Sequence, residues 1–379
     1  MKGDAHIARL ANGAGDPDSL VEFVEKMLLA MPGFLQRLAR ARRVLVKPNL
    51  GGGSAVTMTS ADMIVAVTRA LRGHSSAAMI VGDSAVVGGR SERTIEALGL
   101  RECLEPLGIE VRDFDEGPFE DISLPLGKQI SSVAVTREYL EADLLISLAR
   151  LKTTNATKVS LTMKNLKGLI ADPDKIQFHR RGVHGCLADL LTAVKPDLAI
   201  IDAIQGSDMG RPVTVNALVA GTDAVAVDWT GCLLMRMDPG IVFHIRTATG
   251  RGIGAPPPTR VQEETRALAV PFQGPPNTAS GIPAPDQVRI AAAGACSGCI
   301  GILTVVLDRM KDEGTLSSLP PMTIALGPHV KLASKPDCLV AMGLCSGARD
   351  DADYFLEGCP PQSRLEVQNT LESLGRRET

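Results

Sequence analysis

The chain has 379 residues, 22% of them charged, and a formal net charge of −3. That balance excludes a global basic field of the kind that holds nucleic acid or an anionic membrane. Aromatic residues, at 3%, supply no stacking platform for bases, while the length and 45% hydrophobic residues allow two or three domains with ample core.

The start, Met1-Lys2-Gly3-Asp4-Ala5-His6, has no apolar signal-peptide core, and no apolar run approaches the roughly 18 residues of a membrane span. The expected location is cytoplasmic, where eight cysteines read as thiols or metal ligands rather than disulfides.

Ser19 and Glu22 form a capping box for an amphipathic helix through Leu20, Val24, Met27 and Leu28. The apolar run 43–47 reads as a buried strand ended by Pro48. Gly51-Gly52-Gly53-Ser54 follows, with no Gly-Lys-Ser/Thr to make it a phosphate loop. Thr59 and Asp62 are placed to cap a helix carrying Ile64, Val67 and Leu71. The next strand is 79–82, with Asp83 at its C-terminal end, either capping a helix or contacting a ligand. Further strands are expected at 109–111, 143–148, 198–201 and 217–220, and Asp223 opens a helix that includes Asp228 and Trp229. Strands alternating with helices imply an α/β fold, a parallel sheet with flanking helices.

Residues 1–255 read as this main domain. From 256 to 285 eight prolines break regular structure, as in a linker or long surface loop. Residues 286–379 resume the alternation as a small flavodoxin-like α/β module, with strands at 288–292, 322–326 and 338–342 and helices at 301–311 and 363–374.

Two patterns carry chemistry. The first is the set Cys296, Cys299, Cys345 and Cys359, placed beyond strand ends, where α/β folds converge their loops. Four thiolates suit zinc or an iron–sulfur cluster; zinc sites usually show two close pairs, and here only Cys296-Ser297-Gly298-Cys299 is close. Cys103, Cys186 and Cys232 sit in apolar helical patterns and Cys338 begins a strand, so all four read as packing. The second pattern is a string of lysines and amides: Lys47-Pro48-Asn49, Lys152-Thr153-Thr154-Asn155, Lys158 and Lys164-Asn165-Leu166-Lys167-Gly168, followed by His179 and His184. Gathered at a sheet edge they would bind carboxylate or phosphate; dispersed, they are a solvated basic surface. Lys47, Lys152 and Lys164 are candidates for anion binding or proton transfer, and His179 and His184 for acid–base work or a structural role. Asn49, Asn165, Lys167, Asp83 and Asp202 are candidate substrate contacts.

Lys47-Pro48-Asn49, Gly82-Asp83-Ser84, Lys152-Thr153, Lys164-Asn165-Leu166-Lys167-Gly168, His179 or His184, Ile201-Asp202 and Ala226-Val227-Asp228, in that order, resemble the domain of unknown function family 362 over about residues 40–255. Thr154 stands where that family often has histidine. The last quarter of the chain, through Cys296-Ser297-Gly298-Cys299, Gly343-Leu344-Cys345 and Gly358-Cys359-Pro360-Pro361, looks like the cluster-binding part of the nickel–iron hydrogenase small subunit and its relative in respiratory complex I. That resemblance implies one [4Fe-4S] cluster on Cys296, Cys299, Cys345 and Cys359. The expectation is an iron–sulfur oxidoreductase of reductase type acting on a small anionic molecule. An electron-transfer module docking on a redox partner protein and a structural zinc or cluster site are the other readings. Neither nucleic acid nor membrane is an expected partner.

Overall fold

Strand β1 (His6–Arg9) is followed by β2 (Arg43–Pro48), β3 (Ala78–Asp83), β4 (Ile109–Asp113), β5 (Phe119–Ser123), β6 (Ser132–Thr136), β7 (Leu144–Thr154), β8 (Lys158–Ser160), β9 (Leu198–Asp208) and β10 (Arg211–Gly221). The structure, a computed structural model, describes residues 2–10, 17–51, 54–87, 89–154, 157–275, 282–295, 297–358, 361 and 364–375. It forms two compact units: Met1–Thr153 with Val159–Gln273, and Thr154–Lys158 with Gly274–Thr379.

The first unit is a mixed α/β layer around one large, mostly parallel sheet of order β1-β10-β9-β7-β2-β3-β4, with β8 on β7. The pairs β9–β7, β7–β2, β2–β3 and β3–β4 are parallel. Alternation along each strand feeds two cores. Val44 and Val46 of β2 join Leu28, Ile64, Leu71 and Ile146 on one face, while Leu45 joins Leu145, Leu161 and Ile201 on the other. Burial on both faces is why β2 and β7 read as continuous apolar runs.

One strand departs from the expected parallel pattern: β10 runs antiparallel to β9, and β1, antiparallel to β10, points with the rest of the sheet. The reason is a two-residue hairpin at Met209 (φ 52°) and Gly210 (φ 90°), whose left-handed backbone matches a tight turn and leaves no room for a crossover helix. Both expected capping boxes shift. Ser19 lies inside a helix that begins at Pro17, and Ser60, accepting from Met63 N, caps the helix Ala61–His74 in place of Thr59. Asp223 caps its helix as expected, accepting from Val225 N and Ala226 N. The expected linker 256–285 contains a helix, Thr259–Leu268, because its prolines cluster before Thr259 and after Leu268 and leave that interval proline-free.

In the second unit β11 (Val288–Ala292), β12 (Met322–Leu326), β13 (Leu339–Met342) and β14 (Tyr354–Leu356) are parallel and lie in chain order. A flavodoxin-type sheet would exchange the first two strands. The helices Ser297–Asp312 and Arg364–Gly375 share a core with the sheet through Leu303, Leu307, Met310, Val367 and Leu371. Among the described residues, no helix is long and apolar enough to cross a membrane. Cys186 and Cys232 are buried as expected, whereas Cys103 is exposed.

The helices Val183–Ala193 and Phe243–Gly250 meet through a histidine pair, with His184 Nδ1 3.2 Å from His244 Nδ1 and the rings stacked at 5.4 Å between centroids. Burial first, and then the charges of His184 and Lys164, hold the His244 pKa well below the usual 6.5. A histidine whose pKa falls on folding stabilises the fold above its unfolded pKa and loses that contribution as pH drops below it. The stability margin of the wild type over His244→Leu, read from urea midpoints, is therefore expected to shrink as pH falls below about 6.5. A margin constant across that range would refute a neutral, buried His244.

Candidate functional site

Lys47, the last apolar-stretch residue of β2 before Pro48, is 1% exposed. Its ammonium lies 2.6 Å from Asp83 Oδ1 at the end of the neighbouring strand β3, and donates to Asn165 Oδ1 and Pro48 O, both at 3.0 Å. The ammonium thus makes two hydrogen bonds and one close ion pair, and Asp83 uses its second oxygen to accept from Leu50 N at 2.7 Å. Burial pushes the Lys47 pKa down and the Asp83 pKa up, and their mutual attraction opposes both shifts. Gly168 closes the site: a Cβ there would stand 1.8 Å from Asp83 Oδ1 and 2.6 Å from Lys47 Nζ. Its carbonyl accepts from Ser84 N and Ser84 Oγ, at 3.1 and 3.0 Å.

Asn165 is held by donation from Nδ2 to Lys47 O (3.0 Å) and Ser147 Oγ (3.1 Å). The short helix that carries it, Thr162–Asn165, starts on Asp228, which accepts from Thr162 N (2.7 Å), Met163 N (3.0 Å) and Thr162 Oγ1. Burial pushes the Asp228 carboxyl up to about 7 despite those three donors. The Ala-Val-Asp motif therefore positions the Lys-Asn-Leu-Lys-Gly motif.

On β7, alternate residues Arg150 and Lys152 face a surface turn at Ala55–Thr57. Lys152 Nζ donates to Asn49 Oδ1 and to Thr57 O, each at 2.7 Å. Arg150 pairs with Asp202 Oδ2 at 2.5 Å and reaches Val56 O at 3.3 Å. Asp202 also accepts from Ser60 Oγ at 3.0 Å. Burial, then Lys47 and Arg150, bring the Lys152 pKa down to about 8 against the opposing pull of Asp83. Lys175 adds a fourth buried cation, on Ser84 Oγ (2.7 Å), Ala85 O (2.7 Å) and Asp172 (2.9 Å).

The structure thus brings together Lys47, Asn49, Asp83, Lys152 and Asn165, with Asp202 beside them through Arg150. Lys164, Lys167, His179 and His184 have other contacts. Lys167 Nζ is 3.1 Å from His179 Nε2 and stacks over Phe178, and Lys164 acts on His244, the partner of His184. The helix ends at Asn165 and tightens into a 3-10 turn over Leu166–Leu169, so the two lysines take separate partners. Arg150 and Lys175 escaped the sequence reading, and Ser84 and Gly168 entered it only as members of the family motifs. Arg150 was visible in principle, two residues before Lys152 on the same strand face; Lys175, in a helix distant in sequence, had no such signal.

In the second unit, Cys299 is buried in the first turn of Ser297–Asp312 and Cys345 is half-buried beyond β13. A Cβ on Gly343 (φ 91°) would stand 2.8 Å from Cys299 Sγ. Leu344 N donates to Gly358 O at 2.8 Å. The loops that carry Cys299, Cys345 and Gly358 therefore meet at one sheet edge. Cys296 and Cys359 lie outside the described residues. Among the described residues, no three His, Cys, Asp or Glu side chains are grouped to hold a metal ion.

Asp83→Asn leaves Lys47 buried without a counter-charge and is expected to cost about 3–5 kcal/mol in urea denaturation. Gly168→Ala drives a methyl into the same pair and is expected to cost about 3 kcal/mol or more. A loss below about 1 kcal/mol for either would mean that the pair is not closed.

A thylakoid-associated protein of Synechocystis sp. is 24% identical over 250 residues, covering 62% of this chain and 76% of that protein. The lactate racemase apoprotein from Thermoanaerobacterium thermosaccharolyticum is similar at 16% identity with a TM-score of 0.40, over 56% of this chain; the chain spans only 54% of the racemase. A Thermotoga maritima protein of known crystal structure is similar at 11% identity with a TM-score of 0.39, over 85% of this chain and 73% of that one. The family model described as a domain of unknown function (DUF362) matches residues 44–233, and the chain belongs to that family.

Proposed function

We propose that this chain is an iron–sulfur oxidoreductase of reductase type, with a [4Fe-4S] cluster on Cys296, Cys299, Cys345 and Cys359 and a small anionic substrate at the strand ends of the first unit. One observation carries the cluster: Cys299 Sγ lies only 2.8 Å from where a Cβ on Gly343 would stand, two residues from Cys345, while Gly358, next to Cys359, accepts from Leu344 N. A sulfur that lies against a residue with no room for a side chain, beside the loop of Cys345, fits a compact four-sulfur site. When bound, a cluster ligated by four cysteines supplies single electrons and leaves no iron position open to substrate.

In the first unit, Lys152 is suited to bind the anion and to hold or release a proton near neutral pH, since its amine titrates at about 8. Asn49 orients that amine, and Asn165 and Lys47 hold the floor beneath it. Lys47, with two hydrogen bonds and an ion pair to protein oxygens, serves as scaffold in this reading. The redox partner would be a separate protein that delivers electrons to the cluster face.

Anaerobic purification followed by iron, sulfide and zinc analysis tests the reading. About four irons per chain with a brown visible spectrum are expected. Cys345→Ser should lose most of the iron, and Cys338→Ser should keep it. A colourless protein with stoichiometric zinc would overturn the redox assignment, and equal iron in both variants would overturn the ligand assignment.

A further inference from the structure

Among the described residues of the first unit, four cations are at least nine-tenths buried: Lys47, Arg150, Lys152 and Lys175. Three have a carboxylate partner, respectively Asp83, Asp202 and Asp172. Among the described residues, Lys152 has none; it donates to two neutral oxygens, Asn49 Oδ1 and Thr57 O. A buried ammonium without a counter-charge is expensive, and an anion that settles beside it removes that cost.

Its neighbour supplies the second half of such a site. Arg150 bonds Val56 O and Lys152 bonds Thr57 O, consecutive carbonyls of one turn, so the two cationic heads lie side by side beneath it. Arg150 Nη1 and Nε have partners in Asp202 and Val56 O, while Nη2 and the third Lys152 proton have none among the described residues. Ala55–Thr57 buries no side chain, and apart from the bonds its carbonyls accept from Arg150 and Lys152 its hydrogen bonds are local, from Thr57 N and Thr57 Oγ1 to Ser54 O and from Met58 N to Ala55 O. Both ligating carbonyls belong to partly exposed residues. A carbonyl is a neutral stand-in for the oxygen of an anion, and a charged oxygen binds the same donors more strongly.

We propose that Arg150 and Lys152 form a composite site for a compact oxyanion, the carboxylate or phosphate group of a small molecule, and that the carbonyls of Val56 and Thr57 occupy it until the anion displaces the turn. This deepens the reading of an anionic substrate in the first unit and rests on it. It assigns binding to Arg150 and Lys152 rather than to Lys47 or Lys164, and it makes the 54–58 segment responsive to substrate.

Titration of the full-length protein with potassium phosphate, and separately with potassium acetate, at constant ionic strength tests it. Thermal melting and acylation of Lys152, read by peptide mass mapping, are followed together. Either anion should raise the melting temperature, slow acylation of Lys152 and speed amide exchange at Thr57 and Met58. A response to phosphate alone assigns a phosphate ester, and a response to acetate alone assigns a carboxylate. Lys152→Gln keeps a donor but loses the charge, and should weaken the anion response at least tenfold, a factor equal to about 1.4 kcal/mol. Should Lys152→Gln fold poorly, protection of Lys152 in the wild type decides alone. Equal melting shifts in both proteins, or acylation indifferent to both anions, would overturn the site. Iron content measured on the same samples keeps the two readings apart: an anion response without iron removes the cluster only, and iron without an anion response removes this site only.

Discussion

The buried ion pair between Lys47 and Asp83 is the constraint on which the main domain's site depends. It ties the ends of two adjacent parallel strands to each other and, through Asn165 and Gly168, to a segment more than eighty residues away in sequence. Removing both charges from water is costly, and the cost is offset by the close ion pair, by two hydrogen bonds from Lys47 and by the backbone N–H that the carboxylate accepts. The glycine follows from the same demand, since no side chain fits between the pair and the backbone that covers it. Asp228 contributes at one remove by holding the start of the helix that delivers Asn165.

Against that satisfied pair, Lys152 stands out. It shares the burial of Lys47 but lacks its counter-charge, and its protons rest on neutral oxygens. The two lysines, alike in sequence context, thus take different physical roles: one is locked into the scaffold and the other is left with binding capacity. The second unit is organised by a different constraint. Its parallel strands end at one edge, and glycines with left-handed backbone, such as Gly343, let the following loops approach closely enough for a sulfur to lie against the main chain.

Much of the fold was legible in the residues. Runs such as 43–47 and 143–148 are apolar because their strands are buried on both faces, and the structure has strands there. Asp223 was readable as a helix cap because a cap is a local interaction. The antiparallel edge was not legible, because Met209-Gly210 is not a strong turn signal and strand direction depends on which strands pair. The shift from Thr59 to Ser60 arose because Thr59 is engaged elsewhere, accepting from Asn49 N and donating to Leu148 O. In the site, the motif residues Lys47, Asn49, Asp83, Lys152 and Asn165 converge as a set, while His179 and His184, chosen for their chemistry alone, lie with other partners.

By itself the sequence determined the family, the α/β class and the residue types available for chemistry, because periodicity, caps and motif order are properties of neighbours along the chain. Tertiary structure alone decided which lysine carries a counter-ion, which arginine stands beside Lys152, and which glycine must lack a Cβ. Those outcomes depend on contacts between strands and helices remote in sequence, and on burial that turns an ordinary lysine into either a scaffold or an exacting receptor for charge.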